Sequence, residues 1–151
     1  MKTLLLLALI TPWGVKAQLQ YNAGDPLHQI VIQTEHGADQ LREKVGNWAL
    51  AHYPAAFTSG NYEFGISAQM ISGVTASQEL RYNLLIEIKE QKIRVSLRPK
   101  QFAGRDFLVY AFRQDGTPRT GLEVSEVLFQ INREFLFITE QIKRHLKESD
   151  W

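Results

Sequence analysis

The stretch Leu80–Arg98, LRYNLLIEIKEQKIRVSLR, constrains the fold more than any other part of this chain. Leu80, Tyr82, Leu84, Ile86 and Ile88 fall on alternate positions, and beyond a charged bend Ile93, Val95 and Leu97 do the same. Side chains of a strand alternate between its two faces, so this pattern belongs to a strand pair with one buried side. A tight turn at Glu90–Gln91 sets Ile88 against Ile93, Ile86 against Val95 and Leu84 against Leu97, and both arms then present their apolar residues to the same side. The opposite side pairs Glu87 with Arg94, a cross-strand ion pair worth about 0.2–1 kcal/mol. The sequence therefore predicts an antiparallel hairpin with one wet face.

Upstream, His28–Glu35 (HQIVIQTE) is rich in β-branched residues and reads as a strand. Ala38–Tyr53 carries Leu41, Val45, Trp48 and Ala49 at spacings of three and four, a helix that Pro54 ends. His52 is the next step on that stripe and reads as a histidine at the edge of the core, near the negative end of the helix. From Tyr62 to Ala76 the even positions share one face, including Tyr62, Phe64, Ile66, Ala68 and Met70. That length exceeds an ordinary strand, so a three-residue turn over Ser67–Gln69 is predicted to divide it into two; a single bent strand with a bulge is the alternative.

After Pro99, KQFAGRD carries loop signals, and Phe107–Phe112 (FLVYAF) is apolar on both sides, a short buried strand or a packed loop segment. The last element is a long helix. Thr120 and Glu123 have capping-box spacing, and Val124, Leu128, Ile131, Phe135, Ile138, Ile142 and Leu146 form its core stripe. Lys143, Arg144 and Lys147 sit near its C-terminal end, where the macrodipole favours cations. Phe129, Leu136 and Phe137 lie off the stripe and either widen the apolar face or meet another chain.

The first residues set the compartment. Met1–Ala17, MKTLLLLALITPWGVKA, has a lysine, an apolar run Leu4–Ile10 and small residues before a cleavage point after Ala17, which is the pattern of a secretory signal peptide. The run is too short for a bilayer-spanning helix, which needs about 20 apolar residues. Gln18–Leu27 reads as a loose lead-in, and residues 28–149 as a single domain. Removing Lys2 and Lys16 leaves 15 basic against 16 acidic residues, a net charge of about −1 that gives nucleic acid no general attraction. The chain has no cysteine, which excludes disulfides, a thiolate nucleophile, a cysteine metal site and a cysteine-linked lipid anchor. An exported chain that relies on its core alone fits the bacterial periplasm or the medium.

Catalytic motifs are missing. There is no phosphate-cradling loop, no His-Glu-x-x-His, no Gly-x-Ser-x-Gly and no calcium loop, and His28, His36, His52 and His145 form no pair at ligand spacing on one helix face. Glu35, His36 and Asp39 cluster at the strand-to-helix joint as a candidate acid–base site, although their ordinary role there is to polarise the helix start. Tyr110, Phe112 and Phe129 are candidates to line a pocket, although core membership explains them with fewer assumptions. The remaining candidate is the wet side of the hairpin, where Arg81, Asn83, Arg94 and Arg98 stand with Lys89 and Lys92 as a shallow anion or partner platform, or as ordinary solvated sheet. No catalytic residue, metal or cofactor is assigned.

The order of elements, with ADQLREKVGNWALAHYPAAF, SGNYEFGISAQMISGVTAS and RYNLLIEIKEQKIRVSL, resembles the secreted bacterial proteins of domain of unknown function 4468. The resemblance runs over His28–Leu97 with the final helix following, and rests on Trp48, Phe57, Ile71, Gly73 and the run Lys92-Ile93-Arg94. Gly60–Ile66 departs from it, lacking an acidic turn before the third strand. It implies a TATA-binding-protein-like (TBP-like) fold and no activity, since that family has none established; the name describes fold geometry and does not imply DNA binding.

The resulting expectation is an α+β domain in the order β-α-β-β-β-β-α, a single antiparallel sheet of about five strands with two helices on one face. The function expected is a non-enzymatic, exported ligand- or protein-binding accessory domain using the open sheet face through Arg81, Asn83, Arg94 and Arg98. One alternative is a small periplasmic hydrolase or lyase at Glu35, His36 and Asp39. Another is a structural protein that self-associates through Phe129 and Phe137.

Overall fold

In a computed structural model of the protein, residues 20–53, 61–70 and 77–148 are described, and the signal peptide expected over residues 1–17, Phe57, Ile71 and Gly73 lie outside them. The chain runs β1 (His28–Gln33), α1 (Ala38–His52), β2 (Tyr62–Met70), β3 (Gln78–Lys89), β4 (Lys92–Phe102), β5 (Arg105–Asp106), α2 (Phe107–Ala111) and α3 (Leu122–Lys147). The five-stranded sheet has the order β1-β4-β3-β2, with β5 added to β4, and every pairing is antiparallel.

The hairpin of β3 and β4 has the register that its alternation dictates, with Ile88 opposite Ile93, Ile86 opposite Val95, Leu84 opposite Leu97 and Glu87 opposite Arg94. Gln91 takes the left-handed conformation, φ 61°, at a cost that side chains other than glycine seldom bear without support. Tertiary bonds hold it there. The Gln91 N–H donates to the His36 carbonyl at 3.1 Å, and the Gln91 carbonyl accepts from the Thr34 N–H at 2.9 Å. One Glu90 carboxylate oxygen accepts from the Ala38 N–H at 3.1 Å, so the hairpin turn caps α1, whose own N-cap residue Gly37 supplies no side chain. A Cβ at Gly37 would lie 3.0 Å from the other Glu90 carboxylate oxygen, so the glycine leaves room for that cap.

Four expectations are corrected. First, no turn interrupts Ser67–Gln69: β2 is continuous, pairing Ser67 with Arg81, Ala68 with Leu80 and Gln69 with Glu79. The twelve residues of β3 are long enough to ladder all nine of β2, and backbone pairing outweighs a weak turn signal. The fifth strand is therefore β5, and the second arm expected over residues 71–76 lies outside the described residues.

Second, β4 does not end at Pro99 but continues to Phe102. Leu97 turns its carbonyl to the β1 edge, where it accepts from the Leu27 N–H, and Pro99, two residues on, faces the same edge. Between Leu97, paired with His28, and Gln101, paired with Asp106 of β5, that edge asks for no donor. A register shift beside Tyr82 follows at once.

Third, Phe107–Ala111 is a short helix rather than a strand or loop, so three helices rather than two accompany the sheet. The Asp106 carboxylate accepts from the Leu108 and Val109 N–H groups at 2.9 and 3.2 Å and starts the turn. Fourth, the capping box at Thr120 and Glu123 does not form. Gly121 is the N-cap of α3, and the Glu123 carboxylate accepts instead from the Tyr110 hydroxyl at 2.9 Å.

The core lies between the sheet and the long helices. Leu80, Tyr82, Leu84, Ile86, Ile88, Ile93, Val95 and Leu97 are buried, as are Leu41, Val45 and Trp48 of α1 and Ile131, Phe135, Ile138 and Ile142 of α3. The Tyr82 hydroxyl donates to Glu134 at 3.0 Å and ties β3 to α3. The lead-in is anchored from Gln20 onward. Tyr21 is buried, stacks on Phe112 with centroids 5.2 Å apart, and donates its N–H to Gly116, whose φ of 84° places that turn in the glycine-favouring region.

Candidate functional site

The helices cover one face of the sheet. On the other face stand the odd-numbered residues of β2 and β3 with Arg94, Ser96 and Arg98 of β4. Arg81, Asn83, Arg94 and Arg98 are thus brought to one surface, as their parity required. Their charges are less available than the sequence implied. Arg94 grips Glu87 with two bonds of 2.6 and 2.7 Å, and this bond holds the Glu87 carboxyl below its ordinary range and the guanidinium above its own. Arg81 donates to Glu79 at 2.6 Å, which likewise lowers Glu79, with a Ser67 hydrogen bond adding to the effect. Asn83 donates to Glu63 at 3.3 Å. Arg98 is half-buried, and its Nε makes no hydrogen bond.

Glu63 and Glu79 are the members that sequence reasoning missed. Parity was a usable signal, since Glu79 and Arg81 are two apart on one strand face.

The uncovered face is not flat. Gly65, Ser67, Arg81, Asn83, Lys100, Gln101 and Asp106 line a shallow depression of about 660 Å³. The register shift beside Tyr82 adjoins it, and Gly65 has no side chain to fill it. Elsewhere on the face the Gln29 amide donates to the Ser96 hydroxyl at 3.0 Å, leaving Ser96 1% exposed.

The second candidate, at Glu35, His36 and Asp39, adjoins a cleft of about 530 Å³ between the β1–α1 joint and the end of α3. The structure does not assemble these residues into an acid–base group. His36 Nε2 is 2.8 Å from the Leu146 carbonyl, and Asp39 pairs with Arg42 at 2.8 Å on the solvent side of α1. Lys44, 5% exposed, donates to the Glu148 carbonyl at 3.3 Å. His36 and Lys44 thus satisfy carbonyls that the last turn of α3 leaves open, and place positive character at the negative end of its dipole.

The other histidines are structural. His52 bonds the Trp48 carbonyl at 2.8 Å and stacks on the indole. His145 lies 4.0 Å from Glu148. His28, 4% exposed, stacks on Phe135, and among the described residues neither ring nitrogen has a hydrogen-bond partner; burial pushes its pKa down to about 4. Phe129 does not join Tyr110 and Phe112 in the core, being 61% exposed on α3. Among the described residues no three His, Cys, Asp or Glu side chains gather for a metal ion, and no helix is long and apolar enough to cross a membrane.

No protein-family model matches the chain, and no curated protein does. Solved structures share its fold. A TBP-like protein from Parabacteroides distasonis superposes with a TM-score of 0.58 at 7% identity, covering 88% of this chain and 100% of its own. A protein of the DUF4468 family from Bacteroides ovatus superposes with a TM-score of 0.59 at 11% identity, covering 87% of this chain and 92% of its own. The chain thus has the TBP-like α+β fold that its sequence resemblance implied. Identity this low makes the likeness one of fold, and the descriptions of the two proteins name a fold and a family without an activity.

Proposed function

We propose that the chain is a non-enzymatic, exported accessory domain that holds a polar ligand or a segment of a partner protein on the open face of its sheet. The depression around Arg81, Asn83 and Lys100 carries this reading. Its volume, about 660 Å³, falls within the roughly 300–1,000 Å³ of small-ligand sites. Arginine and lysine stand there beside Asp106, with the Asn83 amide and the Ser67 hydroxyl between them. That mixture suits a partner carrying both acceptors and donors, and it offers no continuous basic track for nucleic acid. Export rests on the leader sequence, and the absence of a catalytic role rests on the engagement of His36 and Asp39 elsewhere.

Native mass spectrometry of the protein purified from its own host tests the reading. A co-purifying mass is expected, lost when Ser67→Trp or Asn83→Trp fills the depression in a variant that circular dichroism shows to be folded. A bare protein, or an adduct indifferent to both substitutions, would remove this face from consideration.

A further inference from the structure

We propose that the solvent side of α3 is a seam between two copies of this chain, which pair their last helices antiparallel about a two-fold axis close to Phe129. The side of α3 that faces the sheet is complete without help, since Val124, Val127, Ile131, Phe135, Ile138, Ile142 and Leu146 are all buried. On the opposite side Leu122, Phe129 and Leu136 recur every seven residues and are 65%, 61% and 46% exposed. A step of seven returns to nearly the same azimuth of a helix, within about 20°, so these three make one line, flanked by the 63% exposed Phe137. Among the described residues no other element covers that line, and it lies on the far side of the core from the open sheet face.

The charges along the line select the occupant. Glu126, Arg133 and Glu140 alternate in sign at the same seven-residue step. In a parallel pair these flanks stand on opposite sides of the seam and do not meet. An antiparallel pair with its axis at Phe129 sets Phe129 against its own copy, sets Leu122 against Leu136 of the second copy, and brings Glu126 alongside the second copy's Arg133. Arg133 is already poised for this, its guanidinium 5.9 Å above the Phe129 ring. A membrane surface or an acidic partner would call for cations along the seam in place of alternating signs. The overlap from Leu122 to Leu136 spans about 21 Å at 1.5 Å per residue, a short seam that makes the association reversible. Because α3 covers the inner face of the sheet, pairing leaves the two open faces pointing outward.

Sedimentation velocity of the purified protein, over an approximately hundredfold concentration range around the micromolar, decides the matter. The mass should move from one chain to two. Phe129→Glu should leave one chain at every concentration, with circular dichroism unchanged because the side chain is exposed. Glu126→Arg and Arg133→Glu should each weaken pairing about tenfold, and combining them should restore it to within about threefold. A monomer throughout, a dimer that survives Phe129→Glu, or a charge swap that fails to restore pairing would each overturn the proposal.

Discussion

The two faces of the sheet are made from alternate residues of the same strands, yet different forces hold them. Tyr82 and Leu84 are 1% and 0% exposed beneath the helices. Their neighbours Arg81 and Asn83 stand on the uncovered side and bond to Glu79 and Glu63. The covered face gains from apolar area taken out of water, roughly 25 cal/mol per Å². The uncovered face is held by ion pairs and hydrogen bonds that water and salt weaken. One face thus carries the stability of the fold, and the other is left to vary its chemistry at little cost.

Substitutions on the two faces should differ in size accordingly. Phe135→Ala empties a 1% exposed position under the sheet and should lower unfolding free energy by about 3–5 kcal/mol in denaturant titration. A loss below about 1 kcal/mol would break the contrast, since surface changes cost that little.

His28 gives the covered face its pH dependence. Its folded pKa of about 4 lies below the 6.5 of an unperturbed histidine, so the fold favours the neutral ring. Stability from this group is full above pH 6.5 and declines as pH falls toward 4, by up to about 3 kcal/mol. His28→Leu should flatten that part of the stability curve. If the slope between those pH values persists in the variant, the burial of this ring is not its source.

At the rim between the faces, Glu90→Ala removes the carboxylate that accepts from the Ala38 N–H and should cost about 1 kcal/mol. An unchanged unfolding midpoint would show that water replaces the cap. The smallest effect belongs to the open face. A double-mutant cycle on Glu87 and Arg94, bonded at 2.6 Å, should give a coupling of about 0.2–1 kcal/mol that shrinks with added salt. A coupling well above that would show the open face contributing to stability like the covered one.

The hairpin was legible because parity and turn length agree on one register, and a slip of one residue would turn Ile86 and Val95 to water. The stripe of α3 was legible for the same reason at a period of 3.6. The continuity of β2 was not, because alternation records which face a residue takes and not whether β3 is long enough to pair with it. The helix at Phe107–Ala111 was missed because a short apolar run carries no readable period, although Asp106 before it was a start signal. On the open face, the side taken by Arg81, Asn83 and Arg94 was legible, but two of their three acidic partners, Glu79 and Glu63, were not, because parity tells which face a residue takes and not which neighbour it will bond.

What the amino-acid order determined by itself is whatever repeats locally: the apolar face of the hairpin, the buried stripes of α1 and α3, and, by composition, the exclusion of cysteine chemistry. Only the tertiary structure decided that Glu90 would cap a helix 52 residues away, that His36 would meet a carbonyl 110 residues on, and that Lys44 would reach another at a separation of 104. It also decided that neither ring nitrogen of His28 would have a hydrogen-bond partner among the described residues. A periodic pattern is enforced residue by residue through burial, whereas a bond between distant groups forms only after packing has brought them together, and no local preference records where that will happen.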